Sequence, residues 1–270
     1  GRLRMSAPPT RMSNPCSSGW PPPLRPPPPQ PAKSASNAAP EVRRRPKART
    51  IVTLPGFESP TPSAARELQR EWAARLVFEP LNEPIDTVCG VDVSGVRDGT
   101  AVAAAVLLTL PDLNVAEFAT AEAELTFPYR SGLLSFRECP VVVQAVERLS
   151  RPPDVIMVDG QGTAHPRRLG LACHLGLLLD IPTLGCAKSR LCGTYDEPGN
   201  ERGCCSPLIE KRELVGRVVR TRTGVKPVFV SPGHRTTLDD AVRLVLACGK
   251  GVRLPEPTRQ AHRLAGSPRS

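Results

Sequence analysis

Apolar residues first acquire a regular spacing near Thr61. Upstream of it, residues 1–48 are rich in Pro, Ser and Arg and almost without large aliphatics, a composition that cannot bury a core and that predicts disorder. Thr61-Pro62 carries a helix-start signal, with Pro tolerated in the first turn, and Leu68, Trp72, Leu76 and Val77 follow at helical spacing. From Ile85 the period becomes that of strands. Ile85–Val93 is short and β-branched and runs into Asp92-Val93-Ser94-Gly95. Asp98-Gly99 is a hairpin turn signal. Ala101–Leu110 then reads as a second strand, Pro111-Asp112 as another turn, and Leu113–Phe127 as a third strand. The second half alternates differently: Cys139–Leu149 helical, Asp154–Val158 a buried strand, Arg168–Leu179 helical, Pro182–Ala187 a strand and Val225–Val230 a candidate strand. Thr236–Ala247 closes the pattern as an amphipathic helix, with Thr236 or Thr237 as cap and Asp239-Asp240 in its first turn.

An antiparallel meander followed by α-β-α-β-α is the element order of the ribonuclease H-like fold. The expectation is an α/β protein with a mixed five-stranded sheet flanked by helices. The catalytic domain spans 51–262, preceded by a tail at 1–50 and followed by a flexible tail at 263–270. In such a sheet the fourth strand lies parallel to the first and beside it, so Asp92 and Asp159, each at the end of an apolar strand, become neighbours. Two neighbouring buried anions repel unless a proton or a cation lies between them. Hard oxygen donors suit Mg²⁺ or Mn²⁺, and Glu138, at the start of the next helix, offers a third carboxylate. Each acid alone reads first as a strand-end cap or turn former; the pair on neighbouring strands is what points to metal-dependent phosphoryl transfer.

Charge changes this picture less than the totals suggest. The net charge is +10, yet residues 1–50 hold 10 Lys and Arg against one acid, Glu41, and the remainder hold 26 against 25. The basic balance belongs to the tail and does not establish nucleic-acid binding. The 9 Cys are irregularly spaced with no Cys-x-x-Cys pair. Reduced thiols are expected, with a zinc site from Cys186, Cys192, Cys204 and Cys205 as a minor alternative. No apolar run is long enough for a membrane span and no secretory signal is visible, so a cytoplasmic monomer is the default.

Several segments resemble the endonuclease V family. They are Phe127-Pro128-Tyr129 leading to Phe136-Arg137-Glu138, Val158-Asp159-Gly160-Gln161-Gly162 with His165-Pro166-Arg167-Arg168, and Gly185-Cys186-Ala187-Lys188-Ser189-Arg190. Ser231-Pro232-Gly233-His234-Arg235 and Arg253-Leu254-Pro255-Glu256-Pro257-Thr258-Arg259 complete the order. The resemblance implies a DNA repair endonuclease that recognises deoxyinosine and hydrolyses the second phosphodiester bond 3′ to it, leaving 3′-hydroxyl and 5′-phosphate ends with Mg²⁺. It assigns Asp92, Asp159 and Glu138 to metal, and His234 and Lys188 to the catalytic site. Tyr129 becomes the wedge that enters the duplex beside the lesion. Gly160, Gly162, His165, Arg167 and Arg168 become substrate-binding. Arg130-Ser131 departs from the family's usual aliphatic-Pro pair, which bears on lesion selectivity more than on chemistry. Two alternatives stay open: an endoribonuclease acting on inosine-containing RNA, and a nucleic-acid-binding protein with idle chemistry.

Overall fold

The computed structural model describes residues 61–97 and 99–266; the expected tail at 1–50 lies outside the described residues. Helix α1 (Pro62–Ala73) starts where the sequence indicates. The Thr61 hydroxyl accepts from the Ala64 amide at 3.3 Å, and Pro62 occupies a position where no amide donor is needed. It buries Ala65, Gln69 and Trp72, one helical stripe. The chain then forms β1 (Thr87–Arg97), β2 (Thr100–Thr109) and β3 (Asn114–Glu124) as an antiparallel meander. Helix α2 (Leu134–Glu147) leads to β4 (Val155–Val158), which pairs parallel with β1. Helix α3 (Leu171–Leu179) leads to β5 (Thr183–Ala187), parallel to β4. The ribonuclease H-like order holds.

The sheet is wider than the five strands expected. A hairpin, β6 (Cys205–Glu210) and β7 (Glu213–Val219), and a further strand, β8 (Val228–Pro232), extend it to eight strands in the order β3-β2-β1-β4-β5-β8-β7-β6. The hairpin turns at Lys211-Arg212, whose φ values are 53° and 70°. Such a turn is usually signalled by Asn or Gly, and neither is present. Helix α4 (Leu238–Ala247) is capped by Thr237, whose hydroxyl accepts from Asp240 N. A last helix, α5 (Glu256–Ala265), was not expected and runs beyond the domain limit read at 262. Helix α2 also begins earlier than the Cys139 start expected, with Pro140 inside it, so Glu138 lies within the helix.

Two apolar layers cover the sheet. Cys89, Val91, Ile156 and Val158 face α1, α2 and α3, whereas Val88, Val155 and Met157 face α4 and α5. Helix α3 is buried along its whole length. Its His174 is packed between the rings of Trp72 and Phe136, at centroid distances of 5.1 and 5.0 Å, and burial pushes its pKa down to about 3. It is a core side chain. Among the described residues the cysteines form no disulfide, and Cys186, Cys192, Cys204 and Cys205 do not come together as a metal-binding group. No helix of the described residues is long and apolar enough to cross a membrane.

Candidate metal centre

Strand alternation decides where the carboxylates go. Val91 of β1 is paired with Val158 of β4, so the next residues on the two parallel strands, Asp92 and Asp159, stand side by side. The Asp159 amide donates to the Val91 carbonyl at 3.2 Å, extending the pairing past the strand end. On β1, Val88, Gly90 and Asp92 share the face covered by α5. A Cβ on Gly90 would lie 2.0 Å from the Pro257 carbonyl oxygen, so the bare glycine lets the start of α5 rest on the strand. Between one and two turns later, α5 presents His262, whose Nδ1 is 2.7 Å from Asp92 Oδ2. Donor atoms of Asp92, Asp159 and His262 all lie within 4.8 Å of one another.

The Asp92 and Asp159 side chains are only 13% and 7% exposed. Burial raises the Asp92 pKa, the His262 hydrogen bond opposes that, and the charge on Asp159 adds to it. Lys188, just past β5, places Nζ 2.5 Å from Asp159 Oδ2. Arg253 holds the Lys188 backbone: its Nη2 donates to the carbonyls of Lys188 at 2.6 Å and Pro227 at 2.8 Å. Glu138 belongs to α2, on the opposite layer, and is not one of the three converging groups. Burial, then the charge of Asp92, pushes its pKa up to about 8. Two buried carboxylates and an imidazole converging on one point fit a divalent cation: such donors are costly together without one and satisfied with one.

Beside the carboxylates opens a cavity of about 360 Å³. Asp159 and Lys188 line it together with Gly160, Gln161, Tyr129 and His165. Tyr129 is 72% exposed at its rim.

Other residues expected at the site are placed differently. His234 is buried near the start of β5. Its Nδ1 accepts from Val77 N at 3.3 Å and its Nε2 lies 3.5 Å from Asp180; the converging histidine is His262. His262 lies on α5, whose Ala261 and Ala265 are buried while the imidazole stays half exposed beside Asp92. Arg168 spends its guanidinium on Glu213 and on the carbonyls of His165 and Glu210, bracing the β6–β7 hairpin. Gly162 is bare because a Cβ would meet the Pro232 carbonyl oxygen at 2.0 Å, a packing need rather than an approach to ligand. Gly160 has ordinary room, its nearest contact being Val158 at 3.5 Å.

His165 is buried, and burial together with the Arg167 charge lowers its pKa to about 4. Its Nδ1 accepts from the Arg167 amide at 3.2 Å, so Nε2 carries the proton toward the Gly132 carbonyl at 3.0 Å. The unfolded chain protonates this histidine near pH 6.5, and the fold refuses the proton until about 4. Stability from neutral His165 is therefore full above 6.5 and is lost as pH falls toward 4; His174 acts in the same direction. The thermal midpoint of the metal-free protein should fall across that window, and His165→Gln should flatten the slope. An unchanged slope in that variant would refute the assignment.

The profile of the family described as Endonuclease V matches residues 70–263. The Endonuclease V of Roseiflexus sp. strain RS-1 is 47% identical over 212 residues, which cover 77% of this chain and 95% of that protein. The crystal structure of Endonuclease V from Streptomyces avermitilis, 46% identical, superposes with a TM-score of 0.74 over 80% of this chain and 96% of its own. That of Ciona intestinalis Endonuclease V, in complex with a 24mer DNA containing an inosine followed by a ribo-adenosine, is 30% identical. Its TM-score is 0.67, over 75% of this chain and 95% of its own. With these matches spanning nearly all of the described residues, the chain belongs to the Endonuclease V family of nucleases.

Proposed function

We propose that the protein cleaves DNA at deoxyinosine, hydrolysing the second phosphodiester bond 3′ to the lesion in a Mg²⁺-dependent reaction that leaves 3′-hydroxyl and 5′-phosphate ends. The observation that carries this reading is the convergence of Asp92, Asp159 and His262 beside a cavity able to hold one base. Asp92, Asp159 and His262 would hold the cation, with Glu138 adjusting the charge from the opposite layer. A cation bound there supplies Lewis-acid charge for water activation and for the leaving oxygen.

The remaining steps belong to the chain's own groups. Extruding a base from a duplex costs on the order of a few kcal/mol; the flat, exposed ring of Tyr129 can occupy the vacated stack and offset part of that cost. Gly160 and Gln161 line the cavity that would receive the extruded base. Lys188, held by Asp159 and by Arg253, offers its ammonium to the scissile phosphate as a compact charge. Burial and the charge of Asp92 push the Glu138 pKa up to about 8, so its carboxyl holds a proton at neutral pH.

A second reading, cleavage of inosine-containing RNA, is favoured by one observation: in the Ciona complex a ribonucleotide follows the inosine. The test is a nicking assay on an inosine-containing DNA duplex and its RNA counterpart, with Mg²⁺ and with chelator. The proposal expects DNA nicking that disappears on chelation. Cutting that survives chelator defeats the metal mechanism, and cutting of RNA alone replaces the DNA reading with the second one.

A further inference from the structure

Several donors from outside the loop that carries Tyr129 converge on one of its backbone oxygens. Gly132 sits in the left-handed region at φ 73°, where glycine is favoured. Three donors reach its carbonyl oxygen: Gln69 Nε2 at 3.0 Å, His165 Nε2 at 3.0 Å and Arg167 Nη2 at 2.7 Å. Gln69 comes from α1, outside the sheet, and its side chain is wholly buried. Its amide nitrogen also donates to the Leu169 carbonyl at 3.1 Å, and its oxygen accepts from Arg167 Nε at 2.5 Å. One carboxamide therefore ties α1, the Tyr129 loop and the 165–169 segment together. The donors of His165 and Arg167 that would otherwise face phosphate are turned to the same task.

We propose that Gln69 is a positioning residue for lesion opening: through Gly132 and Arg167 it fixes the loop from which Tyr129 projects. The inference rests on the reading of Tyr129 as the wedge. A buried amide is costly unless its groups are paired, and Gln69 uses both its nitrogen and its oxygen on partners around this loop. An apolar replacement removes two donors and one acceptor without touching Asp92, Asp159, His262 or Lys188. The Leu169 carbonyl then loses the Gln69 amide, and Gly132 keeps two of its three donors. The loop still folds but is no longer held in one position, and misplacement by about 1 Å can cost up to about a hundredfold in rate.

The experiment compares opening with cutting. Gln69→Met and Gln69→Glu are assayed for kcat/KM on an inosine-containing duplex and on the same strand alone, which needs no opening. Fluorescence of a 2-aminopurine placed beside the inosine reports base extrusion. The expected result for Gln69→Met is a loss of roughly tenfold or more on the duplex, with a reduced fluorescence rise. Its rate on the single strand stays within about twofold of the unaltered protein. Gln69→Glu, which keeps the acceptor for Arg167, falls between. Equal losses on both substrates, or no loss on the duplex, overturn the proposal. If Gln69→Met does not fold, the Glu variant carries the same comparison; failure of both to fold makes Gln69 purely structural and overturns it too. Absence of cutting on both substrates by the unaltered protein sinks the nuclease reading instead, a separable outcome.

Discussion

Asp92→Asn should lower the rate of inosine-directed nicking by roughly a thousandfold, about 4 kcal/mol of barrier, while duplex binding stays close to that of the unaltered protein. Asn has the shape of Asp but not its charge, so the centre loses half of the carboxylate pair that attracts the cation. Stability should move the other way. The Asp92 carboxylate is disfavoured by burial and by the nearby Asp159 charge, so the neutral amide should raise the thermal midpoint of the metal-free protein. Nicking kinetics, binding by fluorescence anisotropy and a metal-free melting curve test the three parts together. A variant that cuts at near-normal rate would refute the role of Asp92. A variant destabilised without metal would refute the account of its electrostatics.

Gly90→Ala should damage both fold and activity from a position that touches no substrate. The added carbon would lie 2.0 Å from the Pro257 oxygen and 2.2 Å from the Pro257 carbonyl carbon. Both are backbone atoms with no rotamer to change, so α5 must move. Overpacking of this kind costs about 1–3 kcal/mol, occasionally more, which in a domain of this size lowers the melting temperature by several degrees. His262 rides on α5, so its 2.7 Å contact with Asp92 should open and nicking should fall with it. Gly160→Ala is the control for stability: its new carbon would meet only ordinary contacts at 3.5 and 3.7 Å, and its melting curve should be unchanged. Equal melting temperatures for the two variants would overturn the packing argument.

The parts of this protein legible in its sequence are those where local and long-range demands coincide. β1 and β4 are short apolar runs ending in an acid, and their burial on both faces leaves one way to read them. The pairing of Asp92 with Asp159 followed from the order of elements. The β6–β7 hairpin was not legible, because its turn is made by Lys211 and Arg212 in a conformation those residues do not advertise. Helix α5 hides behind Pro255 and Pro257, which look like breakers and in fact sit at a helix start, where a missing amide donor is tolerated. The resemblance pointed to His234, whereas the histidine beside Asp92 is His262 on that helix. The basic segment at 165–168 read as a phosphate contact because sequence shows charges but not where their donors turn. In the fold, Arg168 faces Glu213 and Arg167 faces Gln69 and Gly132.

The three converging groups sit at positions 92, 159 and 262, and that spread has a consequence in time. During synthesis, a ribosome releases β1 and β4 long before it releases α5. A chain interrupted between Asp159 and Pro255 has its two aspartates but lacks the imidazole beside them and the helix that covers Gly90. Nascent or truncated copies of this kind lack a finished centre, so the three groups of this nuclease meet only once almost the whole described chain has been made and has folded.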